Sequence, residues 1–313
     1  MSKRLLISTS SFGADPRLID EIVARGFEIT VNPHGRTLKA DEVRDLLTDK
    51  VGVIAGTERL DDAAFVGASR LRVISRVGVG LDNVDLAAAA RRGIVVCNTP
   101  EATIDPVAEL TVAGMLAVLR DVPRMNADLH ARRWNRRMGR LLGHRTVGII
   151  GAGRIGRRVA DLVRAFGADV IVCDPVVDWA WLAGRNIEVL PLDVLLARAD
   201  IVSLHASAPA HLGALIGRRE LTLMAPWSLL INTSRGHLVE ETALADALRA
   251  GRLAGAYLDT FGREPYDGPL CEEPTVLLTP HAGAFTQESR IRMEREAAQN
   301  LLRVLDAESI PCA

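Results

Sequence analysis

The chain has 313 residues, 48% of them hydrophobic and 25% charged, enough apolar material for a large core shared between two domains of ordinary size. That balance excludes a disordered chain, and a formal net charge of −1 excludes any global attraction to nucleic acid or an anionic membrane. The four cysteines, Cys97, Cys173, Cys271 and Cys312, form no CxxC pair and have no histidine at metal-ligand spacing, so neither a metal site nor a disulfide framework is expected.

The N-terminal MSKRLLIST passes from two basic residues into an apolar run too brief for a signal-peptide core, and no stretch is expected to reach transmembrane length. The reading is cytoplasmic, with no membrane partner. Short β-branched runs at 5–8, 27–31, 51–55, 71–75 and 94–96 read as strands. Helical patterns such as DPRLIDEIVARG and NVDLAAAARRG lie between them, the latter closed by Gly93. This βα alternation predicts a parallel sheet. VAELTVAGMLAVLR, 107–120, has too few polar residues for a surface helix and should be buried. The alternation then restarts, with strands expected at 147–150, 170–173, 201–204, 229–231, 254–258 and 276–278, and a final helix from 287 to about 305. Too little chain follows that helix to build another domain, so it must pack on one already formed. The joints are placed near Thr99 and Ala284, giving one domain of 1–98 with 285–313 and another of 99–284.

TVGIIGAGRIGRRVADLVRAFG sets Gly151, Gly153 and Gly156 in GxGxxG order between a strand and a helix. The first glycine permits a tight turn, the second lets a pyrophosphate approach the backbone, and the third lets helix and strand pack closely. The helix N-terminus adds unpaired N–H groups. The next strand ends at Asp174, suited to accept from an adenosine ribose. Pro175 and Val176 follow it with no adjacent cation for a 2′-phosphate, so NAD is preferred to NADP.

Three segments at strand ends carry candidate chemistry: Arg235 in INTSRG, Glu264 in LDTFGREP and His281 in LLTPHAG. In doubly wound sheets the carboxyl ends of strands face the ligand crevice. A histidine can shuttle a proton near neutrality, with a carboxylate to orient the ring. An arginine supplies a planar fork for a substrate carboxylate. Taken together they suit hydride transfer between nicotinamide and a small anionic 2-hydroxy or 2-keto acid.

RVGVGLDNVDL, RRGIVVCNTP, VAELTVAGMLAVLR, VGIIGAGRIGRRVA, VSLH, INTSRG, LDTFGREP and TPHAGAFTQES together resemble the D-isomer-specific 2-hydroxyacid dehydrogenases over nearly the whole chain. Within that family the sequence is similar to the short phosphoglycerate dehydrogenase-like members without a regulatory domain. The resemblance implies an α/β fold of two doubly wound parallel-sheet domains, a Rossmann coenzyme domain inserted into a flavodoxin-like substrate domain. It implies catalytic Arg235, Glu264 and His281, and substrate-carboxylate binding by the backbone at Val77, Gly78 and Val79. NAD contacts are implied at Arg154, Ile155, Asp174, Ala206, Thr233, Ser234, Asp259 and the loop from His281 to Gly283, beside the three motif glycines. A homodimer through about 103–142 is implied as well.

Two departures bear on substrate. After His205 the chain reads HASAPAHLG in place of the family's proline and threonine, which alters the nicotinamide-side loop. After the third strand, where phosphoglycerate-specific members carry an arginine, it reads VIAGTERL, with Ile54, Ala55 and Gly56 across that place, Glu58 nearby and Arg59 as a substitute cation. Phosphoglycerate dehydrogenase proper, glyoxylate or hydroxypyruvate reductase, and an NAD-sensing corepressor-like binding protein remain alternatives.

Arg132, Arg133, Arg136, Arg137, Arg140 and Arg145 crowd around Trp134. A nucleic-acid surface is set against the near-zero net charge and the single aromatic. A subunit interface or solvated helix face is expected, an arginine reaching a neighbouring subunit's site being the third reading.

Overall fold

The computed structural model describes residues 3–10, 12–206 and 213–307, and it divides into two compact units, Met1–Thr103 with Ala284–Ala313 and Ile104–Gly283. The first joint falls later than the sequence placed it. The 3-10 turn Glu101–Thr103 stays with the first unit because Ala102 is buried in that core and its carbonyl accepts from Ser289 Oγ at 2.8 Å.

In the first unit β1 (Lys3–Ile7), β2 (Phe27–Val31), β3 (Gly52–Ala55), β4 (Val73–Arg76) and β5 (Val95–Cys97) form a parallel sheet of order β2-β1-β3-β4-β5, the flavodoxin-like arrangement. Helices α1 (Arg17–Ala24), α2 (Ala40–Leu47) and α3 (Leu86–Arg91) connect them. Every residue of β3 is buried, as a strand covered on both faces requires. Asp85 caps α3 by accepting from Ala88 N at 2.8 Å.

The last helix, α11 (Gln287–Ala307), packs on β3 and β4 of this unit. Met293, Ala297, Leu301 and Leu305 form its buried stripe at helical spacing. Burying Leu301 completely contributes about 1.5–3 kcal/mol. Ser75 Oγ also donates to Ala297 O at 2.7 Å, pinning helix to sheet.

In the second unit α4 (Ile104–Leu119) and α5 (Val122–His130) precede β6 (Thr146–Ile150), α6 (Arg154–Ala165), β7 (Asp169–Cys173), α7 (Trp179–Leu182), β8 (Glu188–Val189), α8 (Leu192–Arg198) and β9 (Ile201–Leu204). Then come α9 (Arg218–Leu223), β10 (Leu229–Asn232), α10 (Glu241–Arg249), β11 (Gly255–Leu258) and β12 (Val276–Leu278). The strands form one parallel sheet of order β12-β11-β10-β9-β6-β7-β8. The direction of winding reverses between β6 and β9, the switch point where such sheets take ligands. Strand β8, two residues at the edge, is too short to show an alternating pattern and was not foreseen from the sequence.

One sequence expectation is overturned. Residues 101–119 are, by length and composition, long and apolar enough to cross a membrane, although half of that stretch is buried within the protein. Packing explains the composition: α4 lies against α6 and β11, and a Cβ on Gly114 would stand 2.0 Å from the Tyr257 ring.

Candidate active site

Each motif glycine meets a different physical demand. Gly151 has φ +94°, and a Cβ there would come within 2.5 Å of Ala206 N, across the β6/β9 switch point. Gly156 abuts the turn itself, its Cβ position lying 2.0 Å from Gly151 O. Around Gly153 there is nothing within 4 Å. Two glycines are therefore fixed by packing, and the middle one opens toward space a diphosphate can enter, directly at the N-terminus of the twelve-residue α6. Arg154 is the first residue of that helix, and Ile155 packs partly into the core beneath it.

Asp174, just beyond β7, accepts from Ala152 N at 2.6 Å and Val176 N at 2.7 Å. It thereby ties the glycine turn to the next strand. A carboxylate offers about four acceptor positions, so two remain for ribose hydroxyls. His205 follows β9, with Nε2 2.8 Å from Ser203 Oγ and a buried Nδ1 that has no partner among the described residues. Burial pushes its imidazole down to about 3, so this ring stays neutral at working pH. The geometry fits a dinucleotide: an open glycine, helix N–H groups, a carboxylate with spare lone pairs and an orphaned buried nitrogen at one switch point. The altered segment after Ala206 lies outside the described residues, as does Cys312.

The three candidate chemical residues follow β10, β11 and β12, which are adjacent and parallel. Buried Asn232 folds the turn that carries Arg235: its Nδ2 donates to Arg235 O at 2.9 Å, and its Oδ1 accepts from Ser234 N and Oγ, both at 3.1 Å. Gly236 lets this turn approach the next one, since a Cβ would lie 1.8 Å from the Phe261 carbonyl carbon. Arg235 Nη1 donates to Ser234 O at 2.8 Å. Thr111 donates to Val107 O at 2.6 Å, so in its 2.8 Å contact with Thr233 the latter is the donor. The Thr233 hydroxyl thus keeps only lone pairs for a ligand.

His281 and Glu264 meet directly. His281 Nδ1 lies 2.9 Å from Glu264 Oε2 and 3.1 Å from Oε1. An ionised carboxylate only accepts, so Nδ1 carries the hydrogen and Nε2 is left to exchange a proton. Glu264 is held in turn by Phe261 N at 3.1 Å. The histidine backbone is left-handed, φ +52°, which costs a non-glycine residue about 1–2 kcal/mol. Asp259 offsets that cost. Its carbonyl accepts from His281 N at 2.9 Å, and its carboxylate, 1% exposed, accepts from Thr279 Oγ1 at 2.5 Å and from Ala282 N and Gly283 N at 2.8 Å each. The resemblance implies an NAD contact for Asp259; its side chain also braces this loop. A cavity of about 630 Å³ adjoins the pair, walled by Phe261, Tyr266, Leu278 and Pro280.

At the carboxyl edge of the first unit's sheet, Val77 N donates to Ala55 O at 2.9 Å and Gly78 N to Thr99 Oγ1 at 2.8 Å. Two of the three N–H groups implied for a substrate carboxylate are therefore spent within the unit, and the Val79 N–H is the one without a partner among the described residues. The arginine cluster is no helix face: residues 133–140 follow α5 as irregular chain. Arg133 and Arg137 pair with Asp128 at 2.7 and 3.0 Å, holding its carboxyl down to about 2, and Asn135 Nδ2 adds a hydrogen bond. Trp134 and Met138 are 81% and 99% exposed.

Sequence reasoning placed Arg235, Glu264 and His281 after strands, where the structure has them, but did not single out Asn232, Gly236 or Thr279. An asparagine at a strand end, able to bond the backbone two residues on, was the available signal for the first.

A doubly wound sheet with a ligand-ready glycine turn at its switch point, and an acid–base pair along the same edge, defines a dinucleotide-binding α/β enzyme class. The chain belongs to the D-isomer specific 2-hydroxyacid dehydrogenase family, whose NAD binding domain matches residues 112–283. It is 40% identical over 264 residues to the D-3-phosphoglycerate dehydrogenase of Mycobacterium tuberculosis strain H37Rv, covering 83% of this chain and 50% of that protein. The chain spans about half the length of such curated relatives. It is 36% identical over 267 residues to the glyoxylate reductase of Korarchaeum cryptofilum, covering 82% of this chain and 79% of that one. The solved TT0316 protein from Thermus thermophilus matches with TM-score 0.89 and 35% identity over 97% of each chain.

Proposed function

We propose that the protein is an NAD-dependent dehydrogenase interconverting a small D-2-hydroxy acid and its 2-keto acid. The observation that carries this is the His281–Glu264 pair at 2.9 Å, on the unit that also bears the open glycine turn. Gly151, Gly153, Arg154, Ile155, Gly156, Asp174, Ala206, Ser234, Gly283 and the lone pairs of Thr233 hold the dinucleotide. Bound NADH supplies the hydride to C2 of the keto acid, and NAD+ accepts it in reverse.

The protein's residues manage the charge that develops. As the carbonyl oxygen gains electrons, His281 delivers a proton to it from Nε2, and Glu264 stabilises the charged ring before transfer. Arg235 polarises that oxygen and anchors the acid through its fork. The turn at Val77, Gly78 and Val79 takes substrate carboxylate, Val79 donating the hydrogen bond. Asp259 and Asn232 are positioning residues. In the oxidative direction His281 begins neutral and takes the hydroxyl proton.

The names of the M. tuberculosis and similar relatives favour a second reading, 3-phosphoglycerate dehydrogenase. The protein is further proposed to be cytoplasmic and a homodimer through 103–142, where exposed Trp134 and Met138 are otherwise unexplained. Loss of NADH absorbance on mixing with a panel of 2-keto acids tests the activity. Turnover of at least one is expected, and none with any acid contradicts the proposal and leaves an NAD-sensing binding protein.

A further inference from the structure

Glu58 lies two residues past the Gly56 turn that follows β3, is 1% exposed, and makes no ion pair among the described residues. Its Oε1 and Oε2 face Gly56 N at 3.0 and 3.2 Å, and Ser8 Oγ, just past β1, is hydrogen-bonded to Oε1. The nearest arginine in sequence, Arg59, turns to Asp61 at 2.7 Å and is exposed. Asn83, beyond the Gly78 turn, donates from Nδ2 to the Glu58 carbonyl at 2.6 Å and to Gly56 O at 3.3 Å. The carboxylate is thus fixed against the ends of β1 and β3, and β3 pairs directly with β4, the strand that leads into Val77–Val79. On that turn the positive charge comes from Arg76, whose Nη1 donates to Val77 O.

Among the described residues, Arg76 stands at this turn and the buried Glu58 carboxylate is held at the end of the neighbouring strand. Two features make this anion act outward. Burial leaves it poorly screened by salt, and its donors are neutral, so none cancels its charge. On the dehydrogenase reading, a single substrate carboxylate at the turn meets the Val79 N–H. A second anionic group on the same small acid meets the field of Glu58.

Resting on the dehydrogenase reading above, we infer that Glu58 is a specificity-determining residue that restricts the substrate to 2-keto acids whose only charge is the C1 carboxylate. It excludes phosphorylated and dicarboxylic acids through like-charge repulsion. Glu58 does not touch the reacting atoms; it acts through the field at the turn.

The test compares kcat/KM for hydroxypyruvate with 3-phosphohydroxypyruvate, and for pyruvate with oxaloacetate, using the full chain and NADH. The uncharged-tail acid of each pair is expected to win by at least ~10-fold, the scale of a like-charge penalty in a partly desolvated site. Glu58→Gln, which keeps shape and removes charge, should narrow both ratios several-fold by raising the dianions. Ser8→Ala, which removes a donor and leaves the charge, should preserve them. A loosened fold would lower all four acids alike and would not move the ratios. A wild-type preference for the dianions, or ratios unmoved in a folded Glu58→Gln, overturns the inference while the dehydrogenase reading stands. No turnover with any acid overturns both. Should Glu58→Gln not fold, the wild-type ratios decide by themselves.

Discussion

The carboxyl edges of the two sheets solve opposite problems. Along β10, β11 and β12 the candidate side chains Arg235, Glu264 and His281 are left accessible, and Asn232 and Asp259, which fix the turns carrying Arg235 and His281, are buried. Along β1, β3 and β4 it is the backbone at Val79 that is offered outward, and the charged group, Glu58, that is buried. On the proposed reading the contrast is a division of labour: one edge changes protonation state, the other holds a fixed field.

The largest effect expected along the first edge is from His281→Ala, which removes the proton donor and should lower kcat by ~10²–10⁴ with KM changed far less. Full kcat in that variant would end the acid–base assignment. Arg235→Lys keeps the charge and loses the planar fork, so kcat/KM should fall by ~10²; a change under twofold would show that the fork is not used. Asp259→Asn probes the buried support. An amide cannot accept on both sides, so one of Ala282 N–H and Gly283 N–H is left facing a donor, costing about 1–3 kcal/mol. Thermal unfolding should shift down, with kcat reduced at nearly constant KM, and an unchanged midpoint would remove Asp259 from the brace. Asp174→Ser should raise the NADPH-to-NADH preference by roughly 10-fold, and an unmoved ratio would contradict the ribose role.

The smallest effect lies away from both edges and serves as their control. Asp128 titrates at about 2 when folded, against an ordinary 3.8. Its folded pKa is depressed, so its stabilisation is fully present above the ordinary value and is lost as pH falls from there through 2. Asp128→Asn should unfold at a slightly lower temperature than the wild type at pH 7 and at the same temperature near pH 2. A gap that persists in acid would mean the loss is one of packing, not of charge.

Much of this was legible in the sequence. The strand runs, the glycine spacing and Asp174 follow local rules, and the structure seats them at the expected places. The places of Arg235, Glu264 and His281 after β10, β11 and β12 were readable because a strand's carboxyl end is something that pattern alone can find. What escaped depends on tertiary approach. Gly236 looks like any loop glycine until Phe261 comes within contact. Glu58 is given no role by its sequence neighbourhood alone; its burial depends on Ser8, fifty positions away in the chain, closing over it. The N–H groups of Val77 and Gly78 looked available because sequence does not show that Ala55 and Thr99 already accept from them. No stretch was expected to reach transmembrane length, yet residues 101–119 pass that test on length and composition, since an interior helix and a spanning one have similar residues.

The most direct test of the dehydrogenase claim follows the transferred atom. NADH deuterated at C4 of the nicotinamide, incubated with the preferred 2-keto acid, should yield a 2-hydroxy acid of D configuration carrying deuterium at C2, and His281→Ala should slow that transfer. A product with no deuterium at C2, or of L configuration, would contradict the account.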